Sequence, residues 1–313
     1  MILSVHVVEV WIYPFSNPCS VSISSKIVNF VLAHDGRKRD YSDHVFFEEH
    51  IKELYKINSE PYVMPEGWDF GVPIEKADIG GNDCYILNGG KERAMMYLHG
   101  GSAIHQMLKY HYRFLKRILK RADITIYLPI YPLAPAHTYG ETFSMLDSVY
   151  DMMLERHDPS RITVMGDSMG GNLALSFPQT LIGRKPMCGS IVLLSPWLDM
   201  TGEHPDTERY YEREPRLSLY ELRRCAELWA GDCDLHEPIV SPIFGPLEGL
   251  PKISVYVGTE ELLLLDSERL RDRAMAEGHE LYYHLWKGMS HVFPVQPIKE
   301  ARQVLPDIIS DLA

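Results

Sequence analysis

The spacing of apolar positions changes along the chain. Residues 22–33 (SISSKIVNFVLA) and 42–57 (SDHVFFEEHIKELYKI) carry apolar side chains at helical intervals, and Val45, Phe46, Ile51, Leu54 and Tyr55 are expected on one stripe. The charged, glycine-containing DGRKRD between them reads as a break. Residues 60–73, with three prolines and two glycines, read as a linker. From about residue 74 the texture becomes strand, turn, helix. VPIEKADI and CYILN flank GGND, which predicts a hairpin. Short apolar runs follow: AMMYLH (94–99), ITIYLPI (124–130), ITVMG (162–166), SIVLLS (190–195), ISVYVG (253–258) and LYYHLW (281–286). Helix-like segments lie near 107–121, 140–156, 169–182, 217–230 and 266–277. Continuous apolar strands alternating with helices predict an α/β fold, a mostly parallel sheet with helices on both faces.

The stretch from about 199 to 250 breaks that rhythm, being rich in Pro, Glu, Arg and Tyr with one clear helix. The expected organisation is cap helices at 22–70 and a catalytic domain at 71–313. An insertion at about 200–240 would join the cap over the sheet's C-terminal edge, where open α/β sheets place their ligands. The start, MILSVHVVEVWIYPF, is apolar but lacks a basic leader region and a small-residue cleavage motif, so it is not read as a signal peptide. It fits nothing downstream well. The expectation is a natural start near Val21, with residues 1–21 an extension. There are no internal repeats, which removes solenoids and propellers.

Charge narrows the partners. With 31 basic and 43 acidic residues the formal net charge is -12, which disfavours phosphate backbones and anionic lipid. No apolar run approaches the roughly 18 residues of a membrane span. Five cysteines (Cys19, Cys84, Cys188, Cys225, Cys233) show no CxxC spacing, which suits free thiols in a reducing, cytoplasmic setting. Cys225, Cys233 and His236 lie close in sequence, but their spacing fits no zinc pattern and acidic residues interleave them. No metal or other cofactor is expected.

The chemistry concentrates in ITVMGDSMGG. It sets Gly166-Asp167-Ser168-Met169-Gly170 between an apolar strand and a helical segment, the context that a G-x-S-x-G nucleophile requires. Ser168 must stand on a turn so tight that its flanking positions call for glycine. The N–H of Met169 then lies at a helix start, where backbone donors are unpaired and the dipole favours negative charge. No lysine follows, as a phosphate-binding Walker loop would need. The run MMYLH ends in His99-Gly100-Gly101-Ser102, a glycine-rich strand end able to aim N–H groups at a ligand. His99 precedes the nucleophile and reads as an organiser of that loop.

A serine nucleophile on this fold is followed by its acid and then its histidine. Of His204, His236, His279, His284 and His291, the last follows the final strand, in KGMSHVFP, and is the choice for general base. The acid belongs on the loop after ISVYVG. Glu261 is preferred there, with Asp266 and Glu260 as alternatives, although Asp266 also suits the N-cap of the next helix. Asp199 sits one strand too early.

These residues resemble the hormone-sensitive-lipase-like, or bacterial type IV, esterases. HGGS (99–102) is similar to that family's HGGG box, YPLAPAHTY (131–139) to its Y-x-L-A-P segment, and GDSMGG (166–171) to its GDSAGG elbow. SPWLD (195–199), SPIFG (241–245) and GMSHVFP (288–294) match in order, so the resemblance spans about 70–300. It implies an α/β-hydrolase fold with a helical cap, and hydrolysis of small short-to-medium acyl esters without a cofactor. It also implies an oxyanion hole from the N–H groups of Gly101, Ser102 and Met169. SISSKIVNF is similar to the family's usual N-terminus.

Two positions depart from the pattern. Ser102 replaces the box's third glycine, which would narrow the pocket or restrict the loop. Glu261, in E-L-L-L-L-D, stands where the family usually has Asp, and aligning the following DS places Glu261 on the acid. An amidase or deacetylase using the same triad, and a ligand-binding receptor of the same fold, are the alternative readings; receptors of this fold lack the histidine that His291 supplies. Small-molecule esters are the expected partners, without nucleic acid or stable membrane insertion, and a homodimer is the assembly to test for. Trp68, Phe70 and Trp197 are candidates to line the pocket, with core packing as the default.

Overall fold

A computed structural model describes residues 10–13 and 21–313. Nine strands form one sheet among the described residues: β1 (Val10–Tyr13), β2 (Ile74–Ile79), β3 (Asn82–Leu87), β4 (Ala94–Leu98), β5 (Thr125–Pro129), β6 (Ile162–Asp167), β7 (Ser190–Leu194), β8 (Ile253–Glu260) and β9 (Leu281–Ser290). Their order is β1-β9-β8-β7-β6-β4-β5-β3-β2. Only the pairs made by β3 are antiparallel. The expected hairpin is β2–β3. Its two-residue turn is Gly80-Gly81, both at positive φ (63° and 91°), the type I′ geometry that a side chain strains and that matches strand twist.

The central strands β4 to β8 are buried almost throughout, because helices cover both faces and no strand has a wet side. These helices include α4 (Lys109–Leu119), α5 (Tyr139–Leu154), α6 (Met169–Leu181) and α9 (Leu264–Glu277). The predicted strand and helix positions agree with these elements to within a few residues. Beyond the N-terminal prediction lie two short C-terminal helices, α10 (Lys299–Gln303) and α11 (Leu305–Asp311), that periodicity did not reveal. Of the expected extension at 1–21, only Val10–Tyr13 and Val21 are described; β1 pairs in parallel with β9 at the sheet edge, and the rest lies outside the described residues.

Before the sheet come α1 (Ile23–His34), α2 (Arg37–Ser42) and α3 (His44–Asn58). The segment read as a charged break is therefore mostly helix α2. Polar side chains exclude it from an apolar stripe, but they bond to the insertion at 199–250, which holds α7 (Thr207–Tyr211) and α8 (Leu219–Ala230). Lys38 Nζ donates to the carbonyls of Tyr211 (3.0 Å) and Glu214 (2.7 Å), and Ser42 Oγ to Ser218 Oγ (3.0 Å). At the other end of the chain, Glu300 on α10 accepts from Ser22 N and from the hydroxyls of Ser22 and Ser25, anchoring the start of α1.

The stripe on α3 differs from the expected one. Phe47, Ile51, Leu54 and Asn58 are buried, whereas Val45 (76% exposed), Phe46 and Tyr55 face outward. The buried set keeps i, i+4, i+7, i+11 spacing, and tertiary docking selected it over a neighbouring apolar face of similar content. Asn58 is the reason for that choice at the helix end: its amide donates to Ile104 O (2.9 Å) and Ala134 O (2.7 Å), where no apolar residue could substitute.

Ile51→Ala is expected to lower unfolding free energy by roughly 2–4 kcal/mol and Val45→Ala by less than about 0.5, measured by urea denaturation. Equal losses would restore the predicted stripe.

Candidate active site

Ser168 stands between β6 and α6 at φ 54°, ψ −117°, a strained pair for a residue with a side chain. The glycines around it are a matter of space. A Cβ on Gly166 would lie 2.0 Å from Gly170 O, and one on Gly170 would lie 1.9 Å from Leu98 O on β4. The crowding is thus between the elbow's own two arms and the neighbouring strand, not with the serine. Asp167 points under the elbow, where Tyr97 Oη donates to it (2.6 Å) and His111 Nε2 bonds to its other oxygen (3.2 Å). Burial acts to raise the Asp167 carboxyl, but His111 and Tyr97 outweigh it and hold the group below the ordinary aspartate value.

His291 follows β9 on the expected loop. Its Nε2 is 3.0 Å from Ser168 Oγ, and its Nδ1 is 2.9 Å from Glu261 Oε2. All three residues are buried, with Ser168 and His291 each 9% exposed. Burial acts to lower the imidazole pKa, but the hydrogen bond and charge of Glu261, with Glu214 and Asp167 beyond, prevail, and His291 titrates above 6.5.

The pairing of Glu260 with Ser290 at the ends of β8 and β9 sets the next residue of each strand, Glu261 and His291, side by side. The other oxygen of Glu261 accepts from Gly258 N (2.7 Å) and Ser195 Oγ (2.8 Å). Ser195 in turn accepts from Val292 N (3.0 Å), so one hydroxyl spans the acid and the residue after the histidine. The alternative acids lie elsewhere. Glu260 receives the Thr259 hydroxyl. Asp199 pairs with Arg269 and Thr201. Asp266 is not an N-cap; helix α9 starts earlier, with Leu263 in that position, and the carboxylate accepts from the N–H groups of Leu198 (2.6 Å) and Asp199 (3.0 Å). Burial, reinforced by Asp199, pushes Asp266 up to about 7.

Gly101 (φ 131°), Ser102 (φ 54°) and Ala103 (φ 62°) form a left-handed run after β4. Gly101 O accepts from Ile104 N (3.0 Å) and His105 N (2.9 Å), which closes the loop on itself. Among the described residues no acceptor takes the N–H of Gly101, Ser102 or Met169. His99 is fully buried and organises this loop: Nδ1 bonds to Gly100 O (2.7 Å), the ring stacks on Tyr131, and burial lowers it to about 4, so it stays neutral.

Three further residues reach the site without a signal in the apolar pattern. Glu214, in the insertion, is buried and accepts from Leu262 N (3.0 Å), Arg216 N and Leu217 N, tying the insertion to the residue after Glu261. Burial raises its carboxyl above the usual range. Glu221 on α8 and Arg37 on α2 pair behind Ser102. Beside the site is a cavity of about 250 Å3 lined by Trp197, Leu219, Leu222, Leu262 and Leu263, with Asp199, Glu203 and His204 also on its wall. Trp197 N donates to Ser168 O (3.1 Å). Trp68 and Phe70 instead pack on Tyr112. Cys84, Cys188, Cys225 and Cys233 are free thiols, and among the described residues no group of His, Cys, Asp and Glu could hold a metal. Nor is any helix there long and apolar enough to cross a membrane.

Comparison with known proteins shows what the chain is similar to. Residues 95–295 match a family described as the alpha/beta hydrolase fold. The chain is 30% identical over 241 residues to an esterase of Acinetobacter venetianus, covering 75% of this chain and 79% of that protein. It is 31% identical over 211 residues to an acetyl-hydrolase of Streptomyces hygroscopicus, covering 66% and 71%. Among solved structures, a Staphylococcus aureus chain superposes with TM-score 0.83 at 27% identity, covering 91% and 97%. An esterase from the bacterial hormone-sensitive lipase family superposes with TM-score 0.78 at 25% identity, covering 94% and 98%.

Asp266→Asn should become relatively more stabilising as pH rises. A folded-state pKa of about 7 lies above the usual unfolded value, so the stability contributed by the protonated group is complete below that unfolded value and lost as pH rises toward 7. Thermal melts at pH 5 and pH 8 check this; a variant-minus-wild-type Tm difference that stays constant or falls would contradict it.

Proposed function

The chain belongs to the α/β hydrolase fold family, among its hormone-sensitive-lipase-like esterases, and is a carboxylic ester hydrolase; from that premise we propose that Ser168, His291 and Glu261 hydrolyse short-to-medium acyl esters through an acyl-enzyme. The observation that carries the reading is the unbroken chain from Ser168 Oγ through both ring nitrogens of His291 to Glu261. His291 Nε2 takes the serine proton as Oγ attacks the ester carbonyl. The N–H groups of Gly101, Ser102 and Met169 stabilise the tetrahedral oxyanion. The protonated imidazole then gives its proton to the departing alcohol. Glu261 keeps Nδ1 protonated and steadies the imidazolium. Water enters, loses its proton to His291 and attacks the acyl carbon; as the acyl–Oγ bond breaks, His291 returns that proton to Ser168 and the acid leaves. Nothing in this sequence needs more than the ester and water.

His291 in contact with Ser168 favours catalysis over ligand binding alone.

Ser168→Ala is expected to remove turnover of p-nitrophenyl butyrate and labelling by a fluorophosphonate; retained turnover would refute the assignment. Because neutral imidazole is the base, kcat/KM should fall as pH drops through a value above 6.5. Glu261→Gln removes the charge that raises it, so kcat should fall by about 10²–10⁴-fold and the remaining acid limb should move to lower pH. A pH-rate series on both proteins checks this, and an unmoved limb would take Glu261 out of the triad. In a p-nitrophenyl ester series, kcat/KM should peak within short-to-medium acyl chains and decline for long ones.

A further inference from the structure

Ser102 is the residue at which the chain departs from the third glycine of its family's box, and its side chain is engaged. Its Oγ donates to Glu221 Oε1 at 3.1 Å. Glu221 is fully buried on α8, and Arg37 on α2 grips it with two nearly parallel bonds, Nη2 to Oε1 at 2.7 Å and Nη1 to Oε2 at 3.0 Å. The guanidinium is itself seated over the Tyr41 ring, 4.2 Å from its centre, and reaches Arg216 O. One hydrogen-bonded chain therefore runs from a loop after β4, through the insertion, to the N-terminal helices. A carboxylate this deeply buried persists because it is paired and hydrogen-bonded on both oxygens.

We propose that Ser102, Glu221 and Arg37 are positioning residues for the oxyanion hole, which takes its working shape only when α2 and α8 are seated over the sheet. The inference rests on the oxyanion-hole reading of Gly101, Ser102 and Met169. Ser102 sits at φ 54° between two other residues of positive φ, so its backbone needs an external hold to keep its N–H aimed. The side-chain bond to Glu221 supplies that hold. The charge on Glu221 also has to be cancelled, because an uncompensated anion one hydrogen bond from the loop would oppose the negative charge developing on the substrate oxygen. Arg37 cancels it. Glycine at position 102 would leave the α8 carboxylate without its loop partner and the loop without its tie to the helices.

The test is steady-state hydrolysis of p-nitrophenyl butyrate by the full chain, with melting temperature recorded for each variant. Complete loss of one oxyanion donor costs about 10²–10³-fold in kcat, so a donor left in place but loosely held should cost less, about tenfold for Ser102→Ala, with KM within about threefold. Glu221→Gln keeps an acceptor for Ser102 and should retain more kcat than Glu221→Ala. Arg37→Met exposes the bare carboxylate and should be the slowest; adding Glu221→Gln to it should recover kcat, which a purely mechanical link between helices would not produce. An unchanged kcat in Ser102→Ala, or a double variant no faster than Arg37→Met, overturns the inference. In either of those cases continued fluorophosphonate labelling of Ser168 leaves the triad reading standing, whereas loss of labelling in the unaltered chain would strike that reading instead.

Discussion

The site depends on a contact in which there is no room for a Cβ. Gly170 lies so close to Leu98 O that any side chain there would meet the backbone of β4, and Gly166 faces Gly170 at the same proximity. Removing both side chains lets α6 begin directly against the central strands. That placement sets the start of α6 beside the loop that follows β4. The strain at Ser168 is the local consequence: a serine at φ 54° is tolerable because the packing on either side leaves it no alternative.

Around that contact the structure is held by buried carboxylates, each satisfied in a different way. Glu261 is shared between His291, Gly258 N and Ser195. Asp167 is held by Tyr97 and His111, Glu214 by three backbone N–H groups, and Glu221 by Arg37 and Ser102. Asp266 takes two backbone donors, and burial with the neighbouring Asp199 drives it to about 7, while Glu214 is raised by burial despite its three donors. Fully bonded buried acids make rigid junctions, because losing any partner strands a charge in a poorly solvated place. Each of these junctions joins segments far apart in the chain, and most of them meet at the site.

Much of this was legible beforehand. The strands, the helices and the hairpin at Gly80-Gly81 follow from short-range spacing and turn chemistry. The elbow at 166–170, the glycine loop at 99–102 and the histidine at 291 each occupy a short window whose residue types already suit one task. On α3 the spacing identifies Ile51 and Leu54 as buried but not the rest of the stripe, since Val45, Phe46 and Tyr55 are as apolar as the residues actually buried and docking at Ile104 and Ala134 separates them. Helix α2 is hidden for the opposite reason: Arg37 and Lys38 look like solvated charges until their partners between β7 and β8 are in place.

The division has a physical basis. Backbone conformation and burial tendency are set by residues within a few positions of one another, so the sequence alone determined the α/β alternation and the glycine-bound serine. Which carboxylate faces His291, what Ser102 donates to and which face of α3 is buried are decided by distances between segments tens to hundreds of residues apart. Glu260, Glu261 and Asp266 lie within one short stretch and have the same chemistry. The pairing of Glu260 with Ser290 at the ends of β8 and β9 sets Glu261, and neither alternative, beside the imidazole.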